Sequence, residues 1–135
     1  MYFPASSTAD GMAMGMPDVC LTPAPPAPPI PVPYPNLAQL ASAQDASTVV
    51  LIENKETVTQ ICKIPNSSGD EAGVNGGVVS GVFANECGFS AGSSKVFAEG
   101  QAVVFLTGQT LHNGSSSNVP GFNLVPSQAL VIVAM

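Results

Sequence analysis

Residues 69–81 read Gly69-Asp70-Glu71-Ala72-Gly73-Val74-Asn75-Gly76-Gly77-Val78-Val79-Ser80-Gly81, with five glycines in thirteen positions, and they lie between two segments that resemble each other. Glycine at this density costs too much conformational entropy for a helix, and it marks bends or places where one backbone passes close to another. The valines between the glycines favour β-structure over a flexible tether. The stretch therefore predicts a tight central crossing, with a glycine-rich surface loop as the alternative.

Length and composition indicate one small domain built from strands. The chain has 135 residues, enough for a single core, and its thirteen prolines and thirteen glycines disfavour long helices. Short apolar runs separated by turn signals predict an all-β fold. We expect residues 1–16 to form a leader, in which methionines alternate with small residues, and residues 17–135 to form one domain.

The distribution of charged and apolar residues excludes nucleic acid and membranes as partners, and it predicts a partner that covers an apolar face. Only Lys55, Lys63 and Lys95 are cationic and the net charge is −6, so no basic patch exists for nucleic acid. The longest apolar run, Ala129 to Met135, is far shorter than the roughly twenty residues of a membrane span, and we expect no stable membrane insertion. Because 45% of residues are hydrophobic and 9% are charged, we expect a partner to cover an apolar face.

Residues 17–36 contain nine prolines in twenty positions. Proline fixes φ and lacks a donor, so this run predicts an extended polyproline segment that wraps the outside of the fold and does not enter the middle of a sheet. An alternative is that the segment makes the protein an adaptor for a polyproline-recognising domain. Directly after it, residues 36–46 carry two leucines and a possible cap at Asn36, which predicts a short helix.

Two later segments read as β-hairpins that repeat one another. Residues 47–60 have a polar turn beginning at Glu53, and residues 94–105 have a matching turn beginning at Glu99, which aligns Ser47 with Ser94. Residues 127–133 read as a third, truncated copy. Because long insertions separate the copies, we expect a compact pseudo-symmetric β-structure rather than a solenoid.

The side chains that can carry chemistry are three cysteines and the single histidine. Cys20, Cys62, Cys87 and His112 together would supply the ligands of a Cys₃His zinc site, although no Cys-x-x-Cys spacing is present. The other interpretation is that Cys62 and Cys87 are small buried hydrophobic residues and His112 is a hydrogen-bonded turn residue. Asp70 and Glu71 are adjacent and would point to opposite faces of an extended chain, so they predict no acid–base pair, and we assign Asp70 to a turn.

Four motifs resemble those of the PAAR-like proteins, the spike-tip proteins of type VI secretion and related contractile injection systems of Gram-negative bacteria. They occur in the family's order and span about residues 17–127. The Pro-Ala-Ala-Arg signature itself is missing, and residues 102–105 read Ala-Val-Val-Phe in its place, as expected for a divergent relative. The motifs are Pro17-Asp18-Val19-Cys20-x-Thr22-Pro23, Pro33-Tyr34-Pro35-Asn36, the glycine-rich stretch from Ser68 to Ser80, and Leu111-His112-Asn113.

The resemblance implies a non-enzymatic structural protein. It implies a small cone of β-hairpins whose flat base caps a trimeric β-helical spike of the VgrG type, and whose apex leads penetration of the target envelope, with effectors carried as separate proteins. It also implies one Zn²⁺ ion near the apex, with Cys20 and His112 at matching positions and Cys62 and Cys87 less suited. The rival prediction is a small Cys/His-dependent or zinc-dependent enzyme or toxin built on Cys20 and His112.

The first residues lack the basic and apolar regions of a secretory signal peptide. We therefore expect the protein to reside in the cytoplasm until it is loaded on a spike, and to leave the cell with it. Three cysteines, an odd number, favour free thiols or metal ligands over a disulfide framework in such a reducing compartment.

Overall fold

The computed structural model describes residues 2–135, and within them it contains twelve short strands and one 3₁₀ turn, which confirms the all-β prediction. The strands are β1 (Tyr2–Pro4), β2 (Met12–Ala24), β3 (Ala27–Gln39), β4 (Ser47–Ile52), β5 (Lys55–Thr57), β6 (Lys63–Ile64), β7 (Cys87–Phe89), β8 (Phe97–Ala98), β9 (Gln101–Ala102), β10 (Gln109–His112), β11 (Val119–Val125) and β12 (Ile132–Ala134).

Six strands form one antiparallel sheet in the order β3-β2-β11-β10-β7-β6. Its longest part is the hairpin of β2 and β3, which have thirteen residues each and span up to about 40 Å at the rise of an extended strand. Where β2 passes β11, Gly15 faces Gly121, and a Cβ at Gly15 would lie 2.9 Å from the ring of His112. Glycine at this position lets the strand lie directly on the histidine.

The proline-rich segment is the edge strand of this sheet. It is extended and external, as predicted, and it differs from a free polyproline helix because residues 30–34 pair in register with residues 18–22 of β2. Pro31, Pro33 and Pro35 alternate with residues that keep an N–H. Side chains and N–H groups both alternate along a strand, so the prolines occupy the positions whose N–H would point away from β2.

The short helix predicted within residues 36–46 is reduced to a single 3₁₀ turn at Leu40–Ser42. Strand β3 continues through the expected start of this helix to Gln39, and Asn36 is buried inside the sheet instead of capping a helix. Pairing with β2 thus overrides the local helix propensity of the leucines and alanines.

The N-terminal residues are woven into the fold. Strand β2 runs through the boundary that we expected between residues 16 and 17, and β1 pairs with β12 at the other end of the chain. The backbone of Thr8 also donates to Glu56. Residues 2–16 are therefore joined to the rest by strand pairing at several points.

Three two-stranded ribbons lie outside the large sheet: β1 with β12, β4 with β5, and β8 with β9. The two predicted hairpins are confirmed, and both have two-residue turns with positive φ, at Glu53-Asn54 and at Glu99-Gly100. This conformation is that of type I′ hairpin turns. The predicted third copy, residues 127–133, contributes β12, whose partner comes from the N-terminal segment.

The glycine-rich stretch crosses the C-terminal half of β2 at close range. Leu21 N donates to Gly76 O over 2.8 Å and Val78 N donates to Val19 O over 3.0 Å. A Cβ at Gly73 would overlap the Cβ of Cys20, so only glycine permits this approach. The crossing that we predicted is present, although residues 69–81 contain no regular strand.

Two apolar clusters fill the interior near the ribbons. One contains Leu40, Val58, Ile64, Phe89 and Val104 among others, and the second contains Ile52, Ala98, Val103, Phe105 and Val133. No helix within the described residues has the length and apolarity needed to cross a membrane.

Candidate functional sites: a threefold ribbon base and a buried polar cluster

Three chain segments, which follow β1, β5 and β9, close a ring of backbone hydrogen bonds. Ser6 N donates to Val104 O over 2.8 Å, Val104 N donates to Val58 O over 3.0 Å, and Val58 N donates to Ser6 O over 3.0 Å. Each segment is thus donor to one neighbour and acceptor from the other. Such a closed cycle is what a threefold axis through the ring would produce.

A second set of three backbone hydrogen bonds surrounds the ring, and in it each segment again donates once and accepts once. Thr8 N donates to Glu56 O over 2.9 Å, Gln60 N to Ala102 O over 2.8 Å, and Leu106 N to Pro4 O over 2.9 Å. The three isolated β-bridges at these crossings join Ala5 to Phe105, Ser7 to Thr57, and Thr59 to Val103. All three interfaces within this part of the molecule are therefore equivalent in backbone pattern.

The segment that leads into each ribbon also contains the same side-chain-to-backbone hydrogen bond. A side-chain oxygen accepts a hydrogen bond from the backbone N–H three residues later: Ser47 Oγ from Val50 N, Ser93 Oγ from Val96 N, and Gln128 Oε1 from Val131 N, over 3.0, 2.9 and 2.7 Å. The structure therefore aligns Ser47 with Ser93. The sequence alignment with Ser94 was wrong by one residue, because it matched serines by identity and not by this turn.

Equivalent positions along the three ribbons share burial as well as backbone geometry. Ile52, Ala98 and Val133 are buried in the same apolar cluster. The preceding residues, Leu51, Phe97 and Ile132, are 50%, 57% and 57% exposed. We call the ribbons and the ring together the ribbon base, and it presents one exposed apolar side chain at the same position of every ribbon.

A buried polar cluster lies where β2 meets the glycine-rich stretch. It is centred on Asp18, Cys20 and Asp70, which have no exposed surface. Asn36 Nδ2 donates to Asp18 Oδ2 over 3.2 Å and to Asp70 Oδ2 over 3.4 Å. Asn113 Nδ2 donates to Asp18 Oδ1 over 3.2 Å, and the Asn118 amide donates to the same oxygen.

The two carboxyl groups have opposite pKa shifts. Burial and the hydrogen bond and charge of Asp18 raise the pKa of Asp70 to about 6. Burial alone would also raise the pKa of Asp18, but hydrogen bonds from Asp70, Asn118 and Asn113 hold it below its usual value. Two buried carboxylates this close share one proton when no cation is near, so Asp70 is the protonated member and Asp18 the anion.

The same three side chains could hold a metal ion. One ligand atom from each of Asp18, Cys20 and Asp70 lies within 4.8 Å of the other two. A thiolate and carboxylates are a donor set that suits Zn²⁺. Without an ion, burial and the two carboxylates raise the pKa of Cys20 to about 12, and the thiol donates to both carboxylates. A metal ion there would displace the protons of Cys20 and Asp70 and would balance the negative charges of the three deprotonated side chains.

His112 belongs to the same network but not to that ligand group. Its Nδ1 lies 2.7 Å from Asn36 Oδ1, and its Nε2 lies 2.8 Å from Thr110 Oγ1 and 3.7 Å from Cys87 Sγ. Since a carbonyl oxygen only accepts, Nδ1 carries the proton and Nε2 accepts. Burial lowers the pKa of His112 to about 4, so the ring is neutral at pH 7.

The residues that we expected at a metal site are thus divided. Cys20 is in the buried group, while His112 is one step away through Asn36. Cys87 contacts His112, and Cys62 is outside the network, with its sulfur accepting from Thr59 N. Sequence reasoning missed Asp18, although its place two residues before Cys20 on one strand puts both on the same face. It assigned Asp70 to a turn, and no sequence signal linked Asp70 to Asp18.

The rival hypothesis, an enzyme or toxin, requires a reactive thiol that a substrate can reach. Burial raises the pKa of Cys87 to about 12, so this thiol is protonated beside a neutral His112. A surface cavity of about 380 Å³ nearby is lined by residues such as Cys62, Gly88 and Leu111, and not by Cys87, Cys20 or His112. The order Cys87, His112, Asn36 resembles a nucleophilic triad, but it faces the interior.

Comparison with known proteins gives one match. The family model described as Toxin PAAR-like domain matches residues 11–121, which include the buried polar cluster and most of the ribbon base. No curated protein and no solved structure matches the chain.

Proposed function

Because this chain belongs to the Toxin PAAR-like domain family, we propose that it is a non-enzymatic tip protein that caps the trimeric VgrG-type β-helical spike of a type VI secretion or related contractile injection system. In this role it sharpens the spike for penetration and delivers separate effectors with it. It would stay in the cytoplasm until loaded and leave with the spike.

The closed ring through Ser6, Val58 and Val104 is the observation that carries this proposal. Threefold geometry suits a threefold partner, because a cap with three equivalent faces can make the same contact with each subunit of a trimer. One cap per three spike subunits is the stoichiometry that this geometry supports.

The exposed side chains at the ribbon base support the same partner. Leu51, Phe97 and Ile132 are large, apolar and at least half exposed at equivalent positions. Apolar side chains at the centre of an interface contribute most when they are fully desolvated. Burying this trio against a trimer also accounts for the excess of apolar over charged residues in the sequence.

The buried polar cluster would serve the tip mechanically. Asp18 and Cys20 are on the long hairpin, and Asp70 is on the glycine-rich stretch, so their hydrogen bonds join two segments 50 or more residues apart. We include one Zn²⁺ near the apex in the proposal, held by Asp18, Cys20 and Asp70. The ion would cross-link these two segments more strongly than hydrogen bonds do.

The deciding experiment is a binding titration of the full chain against a purified trimeric VgrG-type spike, with stoichiometry measured by light scattering. We expect one chain per trimer. Leu51→Asp, Phe97→Asp and Ile132→Asp should each weaken binding at least tenfold, and by similar factors, because each places a charge in one of three equivalent contacts. Val79→Asp, at an exposed site on the glycine-rich stretch, is the matched control.

A stoichiometry of three chains per trimer would contradict the cap geometry. So would a wild-type affinity that the three ribbon variants leave unchanged. Thermal unfolding of every variant distinguishes lost contact from lost fold, since the substituted side chains are exposed and should change stability little.

A further inference from the structure

We propose that Asn36 is the fourth ligand of the metal ion in the buried polar cluster. It becomes a ligand by a half-turn of its side-chain amide, which is coupled to a tautomer exchange in His112. This role rests on the zinc site of the proposed function, held by Asp18, Cys20 and Asp70, and it is independent of spike capping.

The three side chains leave a structural zinc ion one ligand short. Structural zinc sites have four protein ligands, whereas a fourth position filled by water is typical of catalytic sites that a substrate can reach. Asp18, Cys20 and Asp70 have no exposed surface. The fourth ligand should therefore be a protein group that already lies inside the cluster.

Asn36 lies between the two carboxyl groups. Its Nδ2 is 3.2 Å from Asp18 Oδ2 and 3.4 Å from Asp70 Oδ2. An N–H group there is favourable beside carboxylates but unfavourable beside a cation, because its hydrogen carries partial positive charge. The Oδ1 atom of the same amide is a ligand that divalent cations take. A half-turn about χ2 exchanges the two atoms with little change in the shape of the side chain.

The other two amides of the cluster are fixed by backbone donors. Asn118 Oδ1 accepts from Val79 N over 2.9 Å and from Ser80 N over 3.3 Å. Asn113 Oδ1 accepts from Asn85 N over 3.3 Å. A half-turn would direct an NH₂ group at these backbone N–H groups, which can only donate. Both amides therefore remain donors that orient the ligands from outside the ligand group.

The partner of Asn36 Oδ1 can reverse its role. This oxygen accepts from His112 Nδ1 over 2.7 Å, and His112 Nε2 lies 2.8 Å from Thr110 Oγ1. A neutral imidazole carries its proton on either nitrogen, and a hydroxyl group either donates or accepts. When the amide turns, Nδ1 loses its proton and accepts from Asn36 Nδ2, while Nε2 gains a proton and donates to Thr110. Both hydrogen bonds are kept, and the charge of the ring does not change.

Ser67 explains why the metal-free protein keeps the N–H group of Asn36 inward. Ser67 Oγ accepts from Asn36 Nδ2 over 2.8 Å and donates to Asn85 O over 2.7 Å. After the half-turn the hydroxyl group must donate to Asn36 Oδ1, so Asn85 O loses this donor. The carboxylates lose an N–H donor as well. A cation between them compensates for both losses, so the two amide orientations correspond to the metal-free and metal-bound states.

The test is an NMR measurement on the full chain labelled with ¹⁵N-histidine, at pH 7, without metal and after addition of one equivalent of Zn²⁺. His112 is the single histidine of the chain, so the long-range ¹H–¹⁵N correlations of its ring report the tautomer directly. We expect a proton on Nδ1 without metal and a proton on Nε2 with zinc bound. Neither ring nitrogen should show the chemical shift of a metal ligand.

Asn36→Asp is the matched variant. A carboxylate has an oxygen on both sides, so it can ligate the ion while His112 still donates from Nδ1. We expect this variant to bind zinc without the tautomer exchange. Asn36→Ala should bind zinc about a hundredfold more weakly or worse, because it has no ligand oxygen. Asn113→Ala removes only a donor, so its loss should stay within the roughly 10- to 100-fold typical of groups outside the ligand set.

Two results would overturn the assignment of Asn36 and leave the zinc site intact. One is bound zinc with the proton of His112 still on Nδ1, and the other is bound zinc with a His112 nitrogen as a ligand. A native chain that takes up no zinc would overturn the zinc site together with this assignment. None of these results alters the spike titration, so failure of the capping role is a separate outcome. The tautomer is measured in the native chain, so the test does not depend on a variant that folds.

Discussion

Asp18 and Asp70 share a single amide donor: Asn36 Nδ2 lies 3.2 Å from an oxygen of the first and 3.4 Å from an oxygen of the second. Both carboxyl groups are fully buried, and the ion pair recorded in the described residues, Lys63 with Glu86, is elsewhere. A proton or a cation must therefore balance the pair. The charge state of this cluster decides how the protein responds to pH and to metals.

In metal-free protein we expect stability to change little between pH 4 and pH 6.5, because two buried groups act in opposite directions. Asp70, with its pKa raised to about 6, binds its proton more tightly when folded, so its contribution is present at low pH and is lost as pH rises through 6. His112, with its pKa lowered to about 4, contributes stability that is complete above 6.5 and is lost as pH falls to 4.

Asp70→Asn removes the Asp70 contribution, so we expect the pH dependence of stability in this variant to come from His112. The variant's free energy of unfolding should decrease by about 3 kcal/mol from pH 6.5 to pH 4, at 1.36 kcal/mol per pKa unit. Urea unfolding in a chelating buffer measures this, and His112→Gln is the complementary variant, with stability that rises as pH falls. A native protein that loses several kcal/mol at pH 4 would show that the two contributions do not balance.

Metal binding should depend on Cys20 more than on His112. We expect about one zinc per chain, and we expect Co²⁺ to give a thiolate charge-transfer band that Cys20→Ala abolishes, because its sulfur is the soft ligand of the group. Cys87→Ala and Cys62→Ala are the matched controls and should keep the band. A band that persists in Cys20→Ala but disappears in Cys87→Ala would place the ion beside His112 instead.

The ribbons show what local sequence can predict. The turns at Glu53-Asn54 and Glu99-Gly100 are signalled by adjacent residues, so both hairpins could be predicted. The third ribbon could not, because β1 and β12 come from residues 2–4 and 132–134. The threefold ring is a property of these distant pairings, and the sequence shows only its repeats.

The buried polar cluster shows what local sequence cannot predict. Cys20 and His112 could be singled out because few residue types carry metal chemistry, yet their real neighbours depend on the crossing of β2 by the glycine-rich stretch. Asn36 was interpreted as a helix cap, and no pattern linked Asn113 or Asn118 to the cluster, since asparagine is common in turns. The burial of Asn36 follows from strand register, because it is opposite Gly15 on the inner face.

Gly73→Ala should destabilise the protein by about 3 kcal/mol or more, because the added methyl group would overlap the Cβ of Cys20 in a packed interior. The measurement is thermal or urea unfolding. Gly88→Ala is the matched control, since nothing lies within 4 Å of its Cβ position. Equal stabilities of the two variants would mean that the crossing is looser than described.

Restoring donors to the edge of β3 should make the protein self-associate. Pro31→Thr with Pro33→Thr creates two outward N–H groups on an exposed strand, and a strand edge with free donors pairs with other chains. We expect a concentration-dependent increase in mass by light scattering, together with a loss of about 0.4–1 kcal/mol of stability for each proline removed. Val32→Thr is the matched control, because register places its N–H toward Cys20 on β2. A double variant that stays monomeric would mean that the outward edge is closed by something other than its prolines.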